Sequence, residues 1–201
     1  MAEKKPILLY ITSGHWQLTE SGIRDPGAVS GDFIEAKIAQ AGCMHLYRYL
    51  LDNRGILNFK VTYPERNGKG MHLTEHLAEI KEYRKRYRVV VFDWHLNAGG
   101  GRGCECHINS GNKYSYELAK RILNDQKEIG RKWHSWNGTI EPAIHKRNDL
   151  IILQGGCPSI LFEMGYVDNK VDRKDFDTDH EVKQIAYAVG KSMIWYCTKY
   201  N

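Results

Sequence analysis

Four residues of this chain have the types and placing to do hydrolytic chemistry together: His15, Glu35, His95 and Glu163. Two imidazoles and a carboxylate are three of the four ligands of a tetrahedral zinc, and a fourth position left open is the pattern of hydrolytic zinc sites. No short-range rule links His15, Glu35 and His95. Bonds of ~2.0–2.2 Å to a common ion would therefore force three chain elements together at one end of a sheet. Glu163 follows the apolar run SILF, and a carboxylate at the end of a largely buried strand is costly unless it serves chemistry or is paired. An ion pair with Lys146 or Arg147 is the alternative. Taken alone, His95 reads more simply as a satisfied structural histidine; its company points to chemistry.

The elements that must position these residues alternate between strand and helix. PILLYIT (residues 6–12) is a first buried strand with His15 just beyond its end. After a turn-rich loop containing Asp25-Pro26-Gly27, a helix of about five turns begins at Ile34 and stops at Asp52-Asn53 with Gly55. Glu35 lies in its first turn, where a carboxylate gains from the helix dipole. ILNFKVTY (56–63) is a second strand, and Leu73, Leu77 and Ile80 mark a helix with a basic tail over 81–88. Val89 to Phe92 form the central strand, which delivers His95 to its carboxyl end beside a mobile triple-glycine loop, as open α/β sheets present chemistry. GCECHIN (103–109) is a strand with alternating faces, and Tyr114, Leu118, Ile122 and Ile129 outline a third helix. Residues 130–146 are irregular, and Trp133 and Trp136 suggest a lid or groove wall or, equally, a satellite cluster under a loop. DLIIL (149–153) and SILF (159–162) are short strands. A final helix spans 178–196, with Thr178 and Glu181 at capping-box spacing. The alternation implies an α/β fold in a single domain over 1–201.

Composition agrees. With 201 residues, 42% of them hydrophobic, the chain can bury one full core. A net charge of +5 favours an anionic partner without demanding nucleic acid. Five irregularly spaced cysteines argue against a disulfide framework. No stretch reaches the ~18 apolar residues that cross a bilayer, and the short run after Lys4 and Lys5 is no signal peptide. Synthesis in the cytoplasm is the expectation, with a monomer as the default state.

Five motifs occur in order: GHW (14–16), DPGA (25–28), Glu35 opening a helix, DWHLNAGG (93–100) and PSILFEMGYVDN (158–169). Together they resemble the zinc-dependent N-acetylmuramoyl-L-alanine amidases of the type 3 family. The resemblance implies a mixed, mostly parallel sheet of about six strands with helices on both faces. It implies zinc held by His15, Glu35 and His95, with Glu163 as acid/base. The partner would be peptidoglycan, cut at the amide between the lactyl group of N-acetylmuramic acid and L-alanine. A lone catalytic domain without an export signal tilts the role towards a phage-type lysin acting on the cell wall, reached through a holin-type pore.

The chain departs from the family pattern at Ala39, where asparagine is usual, and at Asp93-Trp94, where a small or apolar pair is common. Cys104 and Cys106 stand in a strand that is usually apolar. Other readings compete. His72, Glu75 and His76 have the H-x-x-E-H spacing of inverted zinc peptidases. Cys104, Cys106 and His107, joined by Cys157, could make a structural zinc knot, although buried small hydrophobes suit these thiols better. A non-catalytic wall-binding module on the same fold is the remaining class; it would gain nothing from a buried Glu163.

Overall fold

The computed structural model describes residues 5–56, 59–67, 69–134 and 139–201. Its first strand, β1 (Ile7–Ser13), is buried along its whole length. A two-stranded hairpin, β2 (Val29–Ser30) with β3 (Phe33–Ile34), leads into α1 (Glu35–Asn53). Then come β4 (Phe59–Thr62), α2 (Leu73–Arg84), β5 (Arg88–Asn97), β6 (Glu105–Ile108), α3 (Lys113–Glu128), β7 (Ile144–Lys146), β8 (Ser159–Tyr166) and α4 (Asp179–Tyr200). Six strands form one sheet in the order β4-β1-β5-β8-β6-β7. All neighbours are parallel except β6 against β8. The sheet is mixed and mostly parallel, with helices on both faces.

The two faces are covered unequally. Period-two alternation sends Leu9, Ile11, Val90, Phe92, Trp94, Ile160 and Phe162 to one side, where they pack on α1, α3 and α4. Leu8, Tyr10, Val89, Val91 and Leu161 point the other way, under Ile80 of α2 and Ile152 and Leu153. One helix cannot cover that second face. At its carboxyl end the alternation continues with polar residues: Thr12 in β1, Asp93 and His95 in β5, Glu163 in β8, and Glu105 and His107 in β6. For this reason β5 does not stop at Phe92 and β8 does not stop at Phe162. The residues that continue both strands are polar and largely buried against one another, as Asp93 is against His95.

Two expectations need correction. DLIIL is not a strand: Ile151–Gln154 is a 3-10 turn that caps the second face with Ile152 and Leu153. A short apolar run carries no period that separates the two. Conversely, β7 lies in the stretch expected to be irregular, and its three residues extend the sheet beside β6. Trp136 lies outside the described residues, whereas Trp133 packs on the main core and donates its Nε1–H to the Thr139 carbonyl. No helix among the described residues is long and apolar enough to cross a membrane.

A buried network fastens the second face to α2. Glu65 accepts from Ser13 N–H at 2.9 Å and from the Thr12 hydroxyl at 2.8 Å, and lies 3.4 Å from His76 Nε2. His76 is also bonded to Tyr10 at 2.8 Å. Glu65 and His76 are each only 2% exposed, so removing the carboxylate strands buried partners. Glu65→Ala should cost about 3 kcal/mol or more in urea unfolding, as a lower midpoint at unchanged slope. A loss under about 1 kcal/mol would contradict this reading of the network.

Candidate metal centre

Glu35 is the point of convergence. It opens α1 without a capping side chain from Ile34; instead the DPGA loop supplies backbone carbonyls. Glu35 N–H donates to Ala28 O at 2.9 Å and Ala36 N–H to Pro26 O at 3.1 Å, satisfying helix donors that would otherwise be orphaned. The carboxylate turns back to the sheet, 3% exposed. Its Oε2 accepts from Ala28 N–H at 2.8 Å and its Oε1 from Leu96 N–H at 3.0 Å.

Each oxygen also meets one imidazole. His15 Nε2 lies 3.3 Å from Oε2, and His95 Nδ1 lies 3.0 Å from Oε1. The two rings stand nearly edge to face, 5.2 Å apart. Donor atoms of His15, Glu35 and His95 lie within 4.8 Å of one another, the one such three-residue group among the described residues. Two ligands bonded at ~2.0–2.1 Å to a tetrahedral ion sit roughly 3.3 Å apart, so the spacing fits zinc. Space for the imidazoles comes from glycine. A Cβ on Gly14 would fall 2.1 Å from His95 Cε1, and one on Gly27 would fall 2.6 Å from both Glu35 Oε2 and His15 Cδ2.

Each imidazole has a second carboxylate behind it. Asp25 Oδ2 is 2.8 Å from His15 Nδ1, and Asp93 Oδ2 is 3.0 Å from His95 Nε2. His15 and Trp16 adopt φ of 67° and 71°, a strained conformation for side-chain-bearing residues. The surroundings hold it: Trp16 N–H donates to Asp25 O, and Arg24 donates to Trp16 O. Burial disfavours charge on all three central groups, but the mutual contacts outweigh it. The Glu35 carboxyl is held well below its ordinary value by hydrogen bonds from His15 and His95. Asp93 and Glu35 hold His95 well above the usual imidazole value, and Glu35 and Asp25 raise His15.

Glu163 is the register partner of His95 on one side and of Glu105 on the other. Its Oε2 is buried with no hydrogen-bond partner among the described residues. Burial, reinforced by Glu35 and Glu105 against an opposing pull from His95, pushes its pKa up to about 7. The alternative ion pair does not form. Arg147 pairs with Asp149 at 2.6 Å, and no lysine or arginine of the described residues pairs with Glu163.

The glycine loop is hydrogen-bonded to the chain that follows β8. Asp168 Oδ2 accepts from Gly99 and Gly100 N–H at 2.9 Å each, and Asn169 donates to Gly101 O at 2.7 Å. Asp172 accepts from Gly103 N–H at 2.7 Å. The VDN tail of the fifth motif is thus a clasp. Neither competing zinc arrangement assembles. His72 is exposed at the start of α2, where its N–H donates to Glu75, while His76 is buried against Tyr10 and Glu65. Cys104 and Cys106 face the core under α3 and α4, with Cys157 across the sheet from them. Sequence reasoning gave no part to Asp25, or to Glu105, which lies beside Glu163 and is bonded to Asn97 and His145. The period-two position of Glu105 in its strand was the available signal.

An open α/β sheet with its polar groups gathered at the carboxyl ends of β1, β5 and β8 defines an enzyme site of the kind such sheets carry. Residues 9–194 match the sequence profile of the type 3 N-acetylmuramoyl-L-alanine amidases, and the chain belongs to that family. It is an amidase of peptidoglycan. The fold is similar to that of an N-acetylmuramoyl-L-alanine amidase from Clostridium difficile 630, with a TM-score of 0.80 at 16% identity over 98% of this chain and 100% of that one. It is also similar to amidase AmiC2 of Nostoc punctiforme (0.75, 19%, covering 98% and 99%) and to Ami1 from Mycobacterium smegmatis (0.73, 16%, covering 98% and 100%). No curated protein sequence matches this chain.

Because its folded pKa is raised, Glu163 contributes stability that is intact below the unfolded carboxyl value of 4.5 and is lost as pH rises to about 7. In metal-free protein, Glu163→Gln should melt above wild type at about pH 7.5, with the difference closing below about pH 4.5. A difference independent of pH would contradict the burial assigned to this carboxyl.

Proposed function

We propose that this amidase is zinc-dependent, that His15, Glu35 and His95 are the metal ligands, and that Glu163 is the acid/base of the reaction. The observation that carries the reading is the pairing of a three-donor cluster with a half-buried carboxylate on the adjacent strand, whose buried Oε2 has no partner among the described residues. Zinc held there would supply Lewis acidity, lowering the pKa of water and polarising a carbonyl. Everything else falls to the chain. Glu163, with a pKa of about 7, is matched to accepting a proton near neutrality. As water oxygen bonds to the lactyl carbonyl carbon, Glu163 takes the water proton. As the carbon–nitrogen bond breaks, it returns that proton to the departing L-alanine amine. Glu35, anchored by two backbone N–H groups, and the outer carboxylates Asp25 and Asp93 keep the imidazoles from reorienting during turnover.

The biological setting in this reading is wall lysis of the endolysin type, a single catalytic domain over 1–201 reaching peptidoglycan through a membrane pore made by another protein. The charge of +5 suits an acidic wall polymer. A wall-binding module without turnover is the competing class, and Glu163 speaks against it: a binder has no use for a carboxylate with a costly buried oxygen.

Glu163→Gln should retain stoichiometric zinc and lose at least ~100-fold in turnover of purified cell walls, while His95→Ala should lose both. Turnover by Glu163→Gln near the wild-type rate would remove the acid/base assignment. Mass analysis of digested walls should show stem peptides with free L-alanine amino termini, and a chelator should abolish clearing. Binding to walls without clearing would favour the module.

A further inference from the structure

We propose that Asp93 is a positioning residue that fixes which nitrogen of His95 faces the metal, so that the two histidines would bind it through different ring nitrogens. The inference rests on the ligand set proposed above. His95 has a carboxylate oxygen 3.0 Å from each ring nitrogen: Glu35 Oε1 at Nδ1 and Asp93 Oδ2 at Nε2. A neutral imidazole, the form that ligates a metal, has one N–H and one lone pair. Donation from Nε2 to Asp93 leaves the Nδ1 lone pair turned to the cluster. His15 is arranged in the opposite sense, with Nδ1 at Asp25 and Nε2 towards Glu35.

The two outer carboxylates are built differently. Asp25 sits in a loop with its side chain 29% exposed and also accepts from Gln17 and Gly27 N–H. The Asp93 side chain is 3% exposed, and among the described residues its one hydrogen-bond partner is His95. Asp93 stands two residues before His95 in β5, hence on the same face of the strand. A carboxylate buried for a single contact is expensive, and the contact it makes sets an imidazole's tautomer.

The test combines chelator-competition zinc affinities with long-range ¹H–¹⁵N spectra of histidine-labelled, zinc-loaded protein. Wild type should show His95 ligated through Nδ1 and His15 through Nε2. Asp93→Ala should weaken zinc binding ~10–100-fold, and Asp93→Asn, which keeps an acceptor oxygen, should recover most of that loss. Ligation of wild-type His95 through Nε2 would overturn the proposal whatever the variants do. So would an Asp93→Ala protein that folds and binds zinc as tightly as wild type. A His95→Ala protein with wild-type zinc affinity would instead overturn the ligand set itself.

Discussion

The Glu35 carboxylate is the interaction on which the rest of the structure depends. It is an anion 3% exposed, and a buried charge survives only when its lone pairs are fully used. Here each oxygen takes one backbone N–H and faces one imidazole. Those four contacts come from the DPGA loop, the end of β5, and the turn after β1. Satisfying one charge therefore brings three distant pieces of chain to a single point. The same requirement explains the glycines around it: Gly14 and Gly27 stand where any side chain would occupy the imidazole positions. It also explains the strained backbone at His15 and Trp16, which the surrounding hydrogen bonds hold in place.

The sheet makes room for this arrangement by being unequally covered. Three helices pack one face and α2 with a 3-10 turn packs part of the other. A parallel sheet normally hides both faces; where it does not, the strands can carry polar side chains without breaking. Asp93, His95, Glu163, Glu105 and His107 occupy that end of the second face, with Asp93, Glu105 and His107 buried and His95 and Glu163 half-buried. Burial and neighbouring carboxylates then divide their electrostatics. Glu105, bonded by His107 and His145, is held down to about 2 against its own desolvation, while Glu163, one strand away and without a partner for Oε2 among the described residues, is pushed up to about 7. Two adjacent carboxyls with pKa values driven apart are what acid–base chemistry near neutrality uses.

The fold was legible wherever local physics decides. The buried run of β1, the helix opening at Glu35, and the Thr178 cap of α4 follow from apolar periodicity and end signals. It was not legible where length or context decides. DLIIL is too short to carry a period, and three residues of β7 carry no signal at all. Asp93 and His95 look like the end of a strand until one knows that polar partners await them on that face. The convergence of His15, Glu35 and His95 was suggested by their residue types and by ordered motifs. Their outer partners were not, since a contact between Asp25 and His15, or between Asp168 and the glycine loop, is set by tertiary geometry alone.

The central claim is that one divalent ion sits among His15, Glu35 and His95 with Glu163 beside it. Anomalous diffraction at the zinc edge from crystals of the purified protein tests it most directly. The account predicts one zinc peak per chain, within bonding distance of those three side chains. A peak elsewhere, or full wall-cleaving activity in protein shown to be free of metal, would contradict it.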